Sequence, residues 1–160
     1  MPHSKITLDE IQQKQSAWAA GIIHMGQLWL QKEDCHHAAC CHVEEHYAYG
    51  YEAGVVQFKP TWAREKPFRQ TAASAVSYFV GGDTRFPEDT GFALMLWQKI
   101  AFNNMSYYHH CGVATVMGLC EFVDVNGQST VVEYTMGYVR TGKGEIKLFL
   151  HHSSLPFCDV

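Results

Sequence analysis

The end of the chain places two imidazoles and two hydroxyls side by side, at His151, His152, Ser153 and Ser154. The residues before them alternate as a strand does, and Pro156 prevents further sheet pairing after them. Imidazole can exchange a proton near neutral pH, and a hydroxyl can hold water or stabilise developing charge. The pattern leaves two interpretations open: the lining of a pocket, or a polar strand end in solvent.

A second group of reactive side chains lies at residues 35–47. The pairs spaced by four residues, which would share a helical face, are His36/Cys40, His37/Cys41 and His42/His46. A structural zinc site needs four convergent ligands, usually with a Cys-x-x-Cys knuckle, and the chain has no such knuckle. Any further ligands would have to come from His109-His110-Cys111. We therefore expect inward-packed cysteines and solvated histidines, with a Cys/His metal domain as the alternative.

Three helices are indicated before the strands begin. Thr7 and Glu10 have the spacing of a capping box, which predicts a helix over residues 8–31. One face of this helix carries a stripe of large apolar side chains, namely Ile11, Trp18, Ile22, Met25 and Trp29. Asp34 can cap a second helix through residue 47, and Thr71 a third over residues 72–79.

The second half of the chain is typical of strands. A short strand is predicted over residues 55–61, followed by strands over 99–108 and 113–124. Turns at Asn126-Gly127 and at residues 142–144 extend these into a four-stranded antiparallel meander. We expect an α+β fold whose N-terminal helices close one side of a curved sheet, as a single domain of residues 1–160 with a core from about 8 to 157.

Counting back from the turns gives a register for the last strands. It places Glu133 opposite His152, Thr135 opposite Leu150, and Cys120 opposite Glu133. Ile146, Leu148 and Leu150 share a face with the even-numbered pair His152/Ser154, so we expect that pair to point inward. A single β-bulge would exchange it with His151/Ser153. Neither sheet face is purely polar, which suggests that a second subunit covers one of them.

Composition narrows the function classes. A chain of 160 residues that is 47% hydrophobic and 18% charged can bury one sizeable core. Its net charge of -4 gives no electrostatic reason to bind nucleic acid. No apolar run reaches the roughly 20 residues that span a bilayer, so we expect a soluble protein, cytoplasmic or plastid after removal of any targeting segment. The six cysteines are expected to be mostly free thiols.

Several motifs in order resemble the iota-class carbonic anhydrases. They are Phe58-Lys-Pro-Thr61, Phe68-Arg-x-Thr71, Ser77-Tyr-Phe-Val-Gly-Gly82, Pro87-Glu-Asp-x-Gly-Phe-Ala93, Met117-Gly118, Glu133-Tyr-Thr-x-Gly-Tyr138 and His151-His-Ser-Ser-Leu-Pro156. This family is a branch of the cone-shaped NTF2-like (cystatin-like) and SnoaL-like proteins, related to the calcium/calmodulin-dependent kinase II association domain. The sequence departs from the pattern at Leu96, where proline is expected, and over residues 101–107.

The resemblance implies reversible hydration of carbon dioxide to bicarbonate in a homodimer formed through the sheet. It implies no metal ligand, although zinc or manganese has been claimed for other members. The residues expected to be catalytic are Thr61, Tyr78, His152 and Ser154, and those expected to bind substrate are His151, Ser153, Tyr134 and Glu133. In this hypothesis His152 is the general base, tuned by Glu133. The alternative is a noncatalytic NTF2-like module that associates or binds a small ligand.

Overall fold

The computed structural model describes residues 4–52, 54 and 56–159. The helices are α1 (Leu8–Leu30), α2 (Cys35–His46) and α3 (Ala72–Val80), with a short 3₁₀ helix at Phe92–Met95. The strands are β1 (Gln57–Lys59), β2 (Trp97–His110), β3 (Val113–Asp124), β4 (Ser129–Arg140) and β5 (Ile146–Ser154). The predicted α+β class is confirmed, and the predicted helices agree with the structure to within a residue at each end.

Each helix begins where its capping residue predicts. The Thr7 hydroxyl accepts from the Glu10 amide at 3.2 Å, and the Glu10 carboxylate accepts from the Thr7 amide at 2.8 Å. Asp34 accepts from the His37 amide at 2.9 Å, and Thr71 caps α3 in the same way. These bonds satisfy amide groups that have no partner inside the helix.

The sheet has five strands in the order β1-β5-β4-β3-β2. Strands β2 to β5 form the predicted antiparallel meander. β1 pairs in parallel with β5, with Phe58 opposite His151. The predicted first strand included Val55, which lies outside the described residues. The parallel pairing is important for the site, because it brings the chain before Thr61 beside the His151–Ser154 segment.

The predicted register of the last strands is wrong. Arg140 pairs with Ile146, which is one residue later in β5 than the count from the turn predicts. A bulge between the pairs of Tyr138 and Gly137 then shifts the register of β5 by one more residue. Consequently Glu133 lies opposite Ser154 and Thr135 lies opposite His152. On the other side of β4, Glu133 pairs with Leu119 rather than with Cys120, a shift of one residue.

The bulge in β5 also reverses the predicted facing of its end. Upstream of it, Leu148 is buried against the core, while downstream His151 and Ser153 are buried and His152 is exposed. The expectation that His152 and Ser154 point inward is therefore wrong, because Leu148 marks the inward face only on its own side of the bulge. Glycine at position 137 leaves room for the bulged residue Phe149, since a Cβ there would lie 2.7 Å from the Phe149 ring.

The three helices and the loops between them cover one face of the sheet, with α1 against β2 and α2 packed between α1 and α3. The core formed there includes the predicted stripe of α1, except that Trp29 is 46% exposed. We call the covered face of the sheet the inner face and the opposite one the outer face.

Candidate active site

A small cavity lies between the inner face of the sheet, α1, α3 and the loop that follows β1. Its volume is about 20 Å³. One water needs roughly 10–15 Å³ of such a cavity, so the space holds one or two molecules of that size. Its walls are mostly aromatic, from Trp18, Phe58, Trp62, Phe79, Phe92, Phe102 and Phe122. Its polar lining comes from Thr61, Tyr78, Tyr134, His151 and Ser153.

Two hydroxyls of the cavity lining meet. Thr61 Oγ1 and Ser153 Oγ are hydrogen-bonded at 3.0 Å, although the two residues are 92 positions apart in the chain. The parallel β1–β5 pairing explains the contact, because Lys59 lies opposite His152 and the chain then turns over the end of β5. Each hydroxyl can donate one hydrogen bond and accept another, so the pair can hold a water between protein and substrate.

Two tyrosines supply further hydroxyls to the cavity. Tyr78 stacks on Phe92 with ring centroids 5.5 Å apart, and burial raises its pKa. Burial likewise raises the pKa of Tyr134 to about 12. The Tyr134 hydroxyl donates to Asn104 Oδ1, and Asn104 in turn exchanges two amide hydrogen bonds with Gln15, at 2.9 and 2.8 Å. Both phenols are therefore protonated at neutral pH.

Glycine is required beside Tyr134. A Cβ at position 118 would lie 2.7 Å from the Tyr134 hydroxyl oxygen and 2.0 Å from the Asn103 carbonyl oxygen. Contacts this short are not tolerated, so any larger residue would displace the hydroxyl or the neighbouring strand. This accounts for the glycine of the Met117-Gly118 motif.

Among the residues that the structure describes, His151 is the one imidazole that lines the cavity. Its ring stacks on Phe58 at 5.0 Å between centroids, and its Nδ1 lies 2.8 Å from the Tyr47 hydroxyl oxygen. Burial, with a smaller contribution from His152, lowers its pKa to about 3. His151 is thus neutral at physiological pH.

The other predicted site residues on these strands lie elsewhere. Glu133, His152 and Ser154 line a shallow depression on the outer face, together with Met105, Met117 and Leu119. His152 is exposed, and its pairing partner is Thr135 rather than Glu133. The structure therefore brings together Thr61, Tyr78, Tyr134, His151 and Ser153, and separates them from Glu133, His152 and Ser154.

The expectation of inward-packed cysteines and solvated histidines on α2 holds for His36 and His37, which are exposed, and is wrong for Cys40, Cys41, His42 and His46. Cys40 and Cys41 are exposed, whereas His42 and His46 are buried with ring centroids 4.5 Å apart. Burial lowers the pKa of His46 to about 3 and lowers that of His42 well below its usual value. Within residues 4–52, 54 and 56–159, no three His, Cys, Asp or Glu side chains converge as metal ligands. The pairs His36/Cys40 and His37/Cys41 each meet, at 3.8 and 3.6 Å, without a third partner of this kind.

The sequence analysis missed several residues of the site, of which one carried a signal in the sequence. Gln15 was detectable, because a polar residue on the apolar stripe of α1 needs a buried partner. Tyr47, Trp62 and Phe102 were not, since they reach the cavity or its lining only through tertiary contacts. Tyr47 lies 104 residues from His151.

Comparison with known proteins places this chain in a family. The family model for metal-independent carbonic anhydrases matches residues 9–155. A metal-independent carbonic anhydrase of Nostoc sp. (strain PCC 7120) is 37% identical over 153 residues, which are 95% of this chain and 75% of that protein. The crystal structure of a cyanobacterial iota-carbonic anhydrase complexed with bicarbonate has a TM-score of 0.93 and 33% identity, covering 99% of this chain and 98% of that one.

More distant structures share the fold alone. An NTF2-like superfamily protein from Salmonella enterica has a TM-score of 0.59 at 12% identity, covering 95% of this chain and 92% of that chain. A calcium/calmodulin-dependent kinase II association domain from Xanthomonas campestris reaches 0.55 at 18% identity, covering 91% and 82%. The predicted NTF2-like fold is thereby confirmed. From the family match and the close relatives together, this chain belongs to the metal-independent, iota-class carbonic anhydrases.

Proposed function

We propose that this protein hydrates carbon dioxide to bicarbonate, reversibly and without a metal, in the cavity on the inner face of its sheet. The observation that carries the proposal is the hydrogen-bonded pair Thr61/Ser153 in the lining of a cavity of about 20 Å³. The aromatic walls suit apolar carbon dioxide, and the polar groups suit water and bicarbonate. The relative crystallised with bicarbonate supports the same substrate.

The ionisation states of the cavity restrict the chemistry. In zinc-dependent carbonic anhydrases the metal lowers the pKa of its bound water to about 7 and so supplies hydroxide. The family to which this chain belongs is metal-independent, so the protein groups must activate the water in another way. Burial keeps His151 neutral, with a pKa of about 3, and keeps Tyr134 protonated, with a pKa of about 12. We therefore propose that the reaction proceeds from neutral water and neutral protein groups.

We assign the proton transfer to the hydroxyl pair. Water held by Thr61 and Ser153 forms its oxygen–carbon bond to carbon dioxide while one of its protons passes to a pair hydroxyl. That hydroxyl gives its own proton to a carbon dioxide oxygen, so the product is carbonic acid, which releases one proton to solvent and becomes bicarbonate. Both Tyr78 and Tyr134 line the cavity: the Tyr78 hydroxyl can donate to the water or to these oxygens, whereas the Tyr134 oxygen can only accept, because its proton is donated to Asn104. One such donor is worth about 10²–10³ in rate, so several can give useful turnover.

The test is a stopped-flow assay of carbon dioxide hydration with a pH indicator. We expect the purified protein to accelerate hydration in proportion to its concentration. A folded protein with no acceleration would contradict the proposal and favour a noncatalytic NTF2-like module. Circular dichroism on the same sample verifies that the chain is folded.

We also propose that two copies associate through the outer face of the sheet. That face exposes several large apolar side chains, with Met105 69% and Met117 54% accessible, next to Leu119 and Val131. Side chains of this size do not remain on a free sheet surface without cost. Among the described residues, no helix is long and apolar enough to cross a membrane.

Light scattering coupled to gel filtration measures this association directly. Wild-type protein is expected at twice the mass of the chain, and Met117→Glu at the mass of one chain, because a buried unpaired carboxylate opposes the interface. Leu30→Glu, at the 58% exposed end of α1, is the matched control and should stay dimeric. A wild-type monomer at micromolar concentration would contradict the dimer.

A further inference from the structure

The ring of His151 is held by a hydrogen-bonded chain of buried side chains that includes Trp18 of the cavity wall and Tyr47, which does not line the cavity. The Trp18 indole nitrogen lies 3.1 Å from the Tyr47 hydroxyl oxygen, and that oxygen lies 2.8 Å from His151 Nδ1. All three residues are at most 5% exposed. Tyr47 also packs nearly parallel to the imidazole, at an interplanar angle of 21°.

The direction of these hydrogen bonds follows from the chemistry of the groups. An indole N–H can only donate, so the Tyr47 oxygen accepts from Trp18. The phenol proton then needs an acceptor of its own, because a buried donor without one is costly. Throughout the described part of the chain, the one other group bonded to this hydroxyl is His151 Nδ1. Nδ1 therefore accepts, and a neutral imidazole that accepts at Nδ1 carries its proton on Nε2.

We propose that Tyr47, oriented by Trp18, is a positioning residue that fixes His151 as the Nε2–H tautomer, so that His151 donates a hydrogen bond to an oxygen of carbon dioxide or bicarbonate. This inference rests on the proposed function for the identity of the ligand only. It assigns His151 the role of a donor and not of the general base, since the lone pair that a base needs is already occupied by Tyr47.

The geometry agrees with a donor role. His151 lines the cavity with Ser153 on the same face of β5, so a substrate oxygen can meet an imidazole N–H and a hydroxyl together. None of the hydrogen bonds found among the described residues involves Nε2, which leaves that nitrogen for the substrate. Fixed donors of this kind stabilise charge that develops on the substrate oxygens, because they need no reorganisation during the reaction.

The tautomer can be read by NMR. In protein labelled with ¹⁵N-histidine, long-range ¹⁵N–¹H spectra at neutral pH distinguish a protonated ring nitrogen from an unprotonated one, and His151→Gln identifies the signals by their loss. We expect unprotonated Nδ1 and protonated Nε2, with the opposite tautomer about tenfold less populated or rarer. A protonated Nδ1, or an even mixture, would overturn the proposal.

Tyr47→Phe tests the role of the hydroxyl. The variant is expected to shift the Nδ1 resonance and raise the share of the Nδ1–H form, whereas Tyr138→Phe should leave both unchanged. Tyr138 is a suitable control because it is equally buried and its hydroxyl contacts Met136 Sδ instead. An unchanged His151 spectrum in Tyr47→Phe would overturn the positioning role, and if this variant does not fold, the wild-type spectrum still decides the tautomer.

Bicarbonate titration separates this inference from the proposed function. Added bicarbonate should move the His151 Nε2 resonance in the wild-type protein. A protein that shows the Nε2–H tautomer without hydration activity would contradict the proposed function and leave the tautomer assignment standing. An active protein with a protonated Nδ1 would contradict the tautomer assignment and leave the proposed function standing.

Discussion

Ser153→Ala is expected to lower kcat/KM for carbon dioxide hydration by about 100-fold or more. The serine hydroxyl is bonded to Thr61 Oγ1 at 3.0 Å inside the cavity, so its loss removes both a support for the attacking water and a step of proton transfer. The methyl group of alanine fills nearly the same space, so the fold should be retained. Stopped-flow hydration, together with a thermal melt of each protein, measures the two effects separately.

Ser154→Ala is the matched control for this prediction. It changes the next residue of the same strand, whose side chain lies on the outer face with Glu133 and His152. We expect kcat/KM to stay within about twofold of the wild type. If Ser154→Ala is the inactive variant and Ser153→Ala the active one, the site lies on the outer face and the assignment of the cavity is wrong.

Arg69→Met is expected to reduce the free energy of unfolding by about 3–5 kcal/mol. Arg69 is fully buried and makes two hydrogen bonds to Asp89, at 2.6 and 2.7 Å, as well as bonds to two backbone carbonyls. Removing the guanidinium leaves the Asp89 carboxylate, which is 1% exposed, without its partner. The free energy of unfolding of most small proteins is only about 5–15 kcal/mol, so the expected loss is a large fraction of it. Urea denaturation followed by fluorescence measures the change.

The exposed ion pair of Arg85 and Asp83 provides the control for Arg69. Arg85 is 68% exposed, and Arg85→Met should cost less than about 1 kcal/mol. The double variant Arg69→Met/Asp89→Leu should recover part of the stability, because it leaves no unpaired charge buried. Equal losses in Arg69→Met and Arg85→Met would contradict this account.

The local elements of this fold could be predicted from the sequence because their signals are local. The Thr7/Glu10 capping box and the caps at Asp34 and Thr71 each depend on residues within one turn of the helix start. The predicted helix starts and the predicted turn at Asn126-Gly127 were therefore correct. The classification as an NTF2-like carbonic anhydrase came from motifs spread over the whole chain, and not from any of these elements.

The facing of β5 could not be predicted, because it depends on one extra residue. Strand side chains alternate, so Leu148 indicated the inward face for every even-numbered residue after it. The bulge opposite Gly137 changes that face within the strand, and nothing in the order of the residues Leu148-Phe149-Leu150 marks it. Gly137 itself was the available signal, because glycine within a strand often marks a bulge.

The support of the site was also beyond the sequence. Tyr47 follows α2, Trp18 lies in the middle of α1, and His151 lies on β5, the strand between β1 and β4. Their hydrogen bonds cross 29 and 104 residues of chain. Contacts of that range depend on the packing of the helices on the sheet. A buried tyrosine gives no indication in sequence of which group its hydroxyl meets.

The central claim is that hydroxyl groups of this cavity hydrate carbon dioxide without a metal. Its most direct test is the stopped-flow rate of exhaustively chelated wild-type protein, verified as metal-free by elemental analysis, beside chelated Thr61→Val. We expect the chelated wild type to keep its full rate and Thr61→Val to lose about 100-fold. A wild-type protein that loses its activity on chelation and regains it with zinc or manganese would contradict the claim.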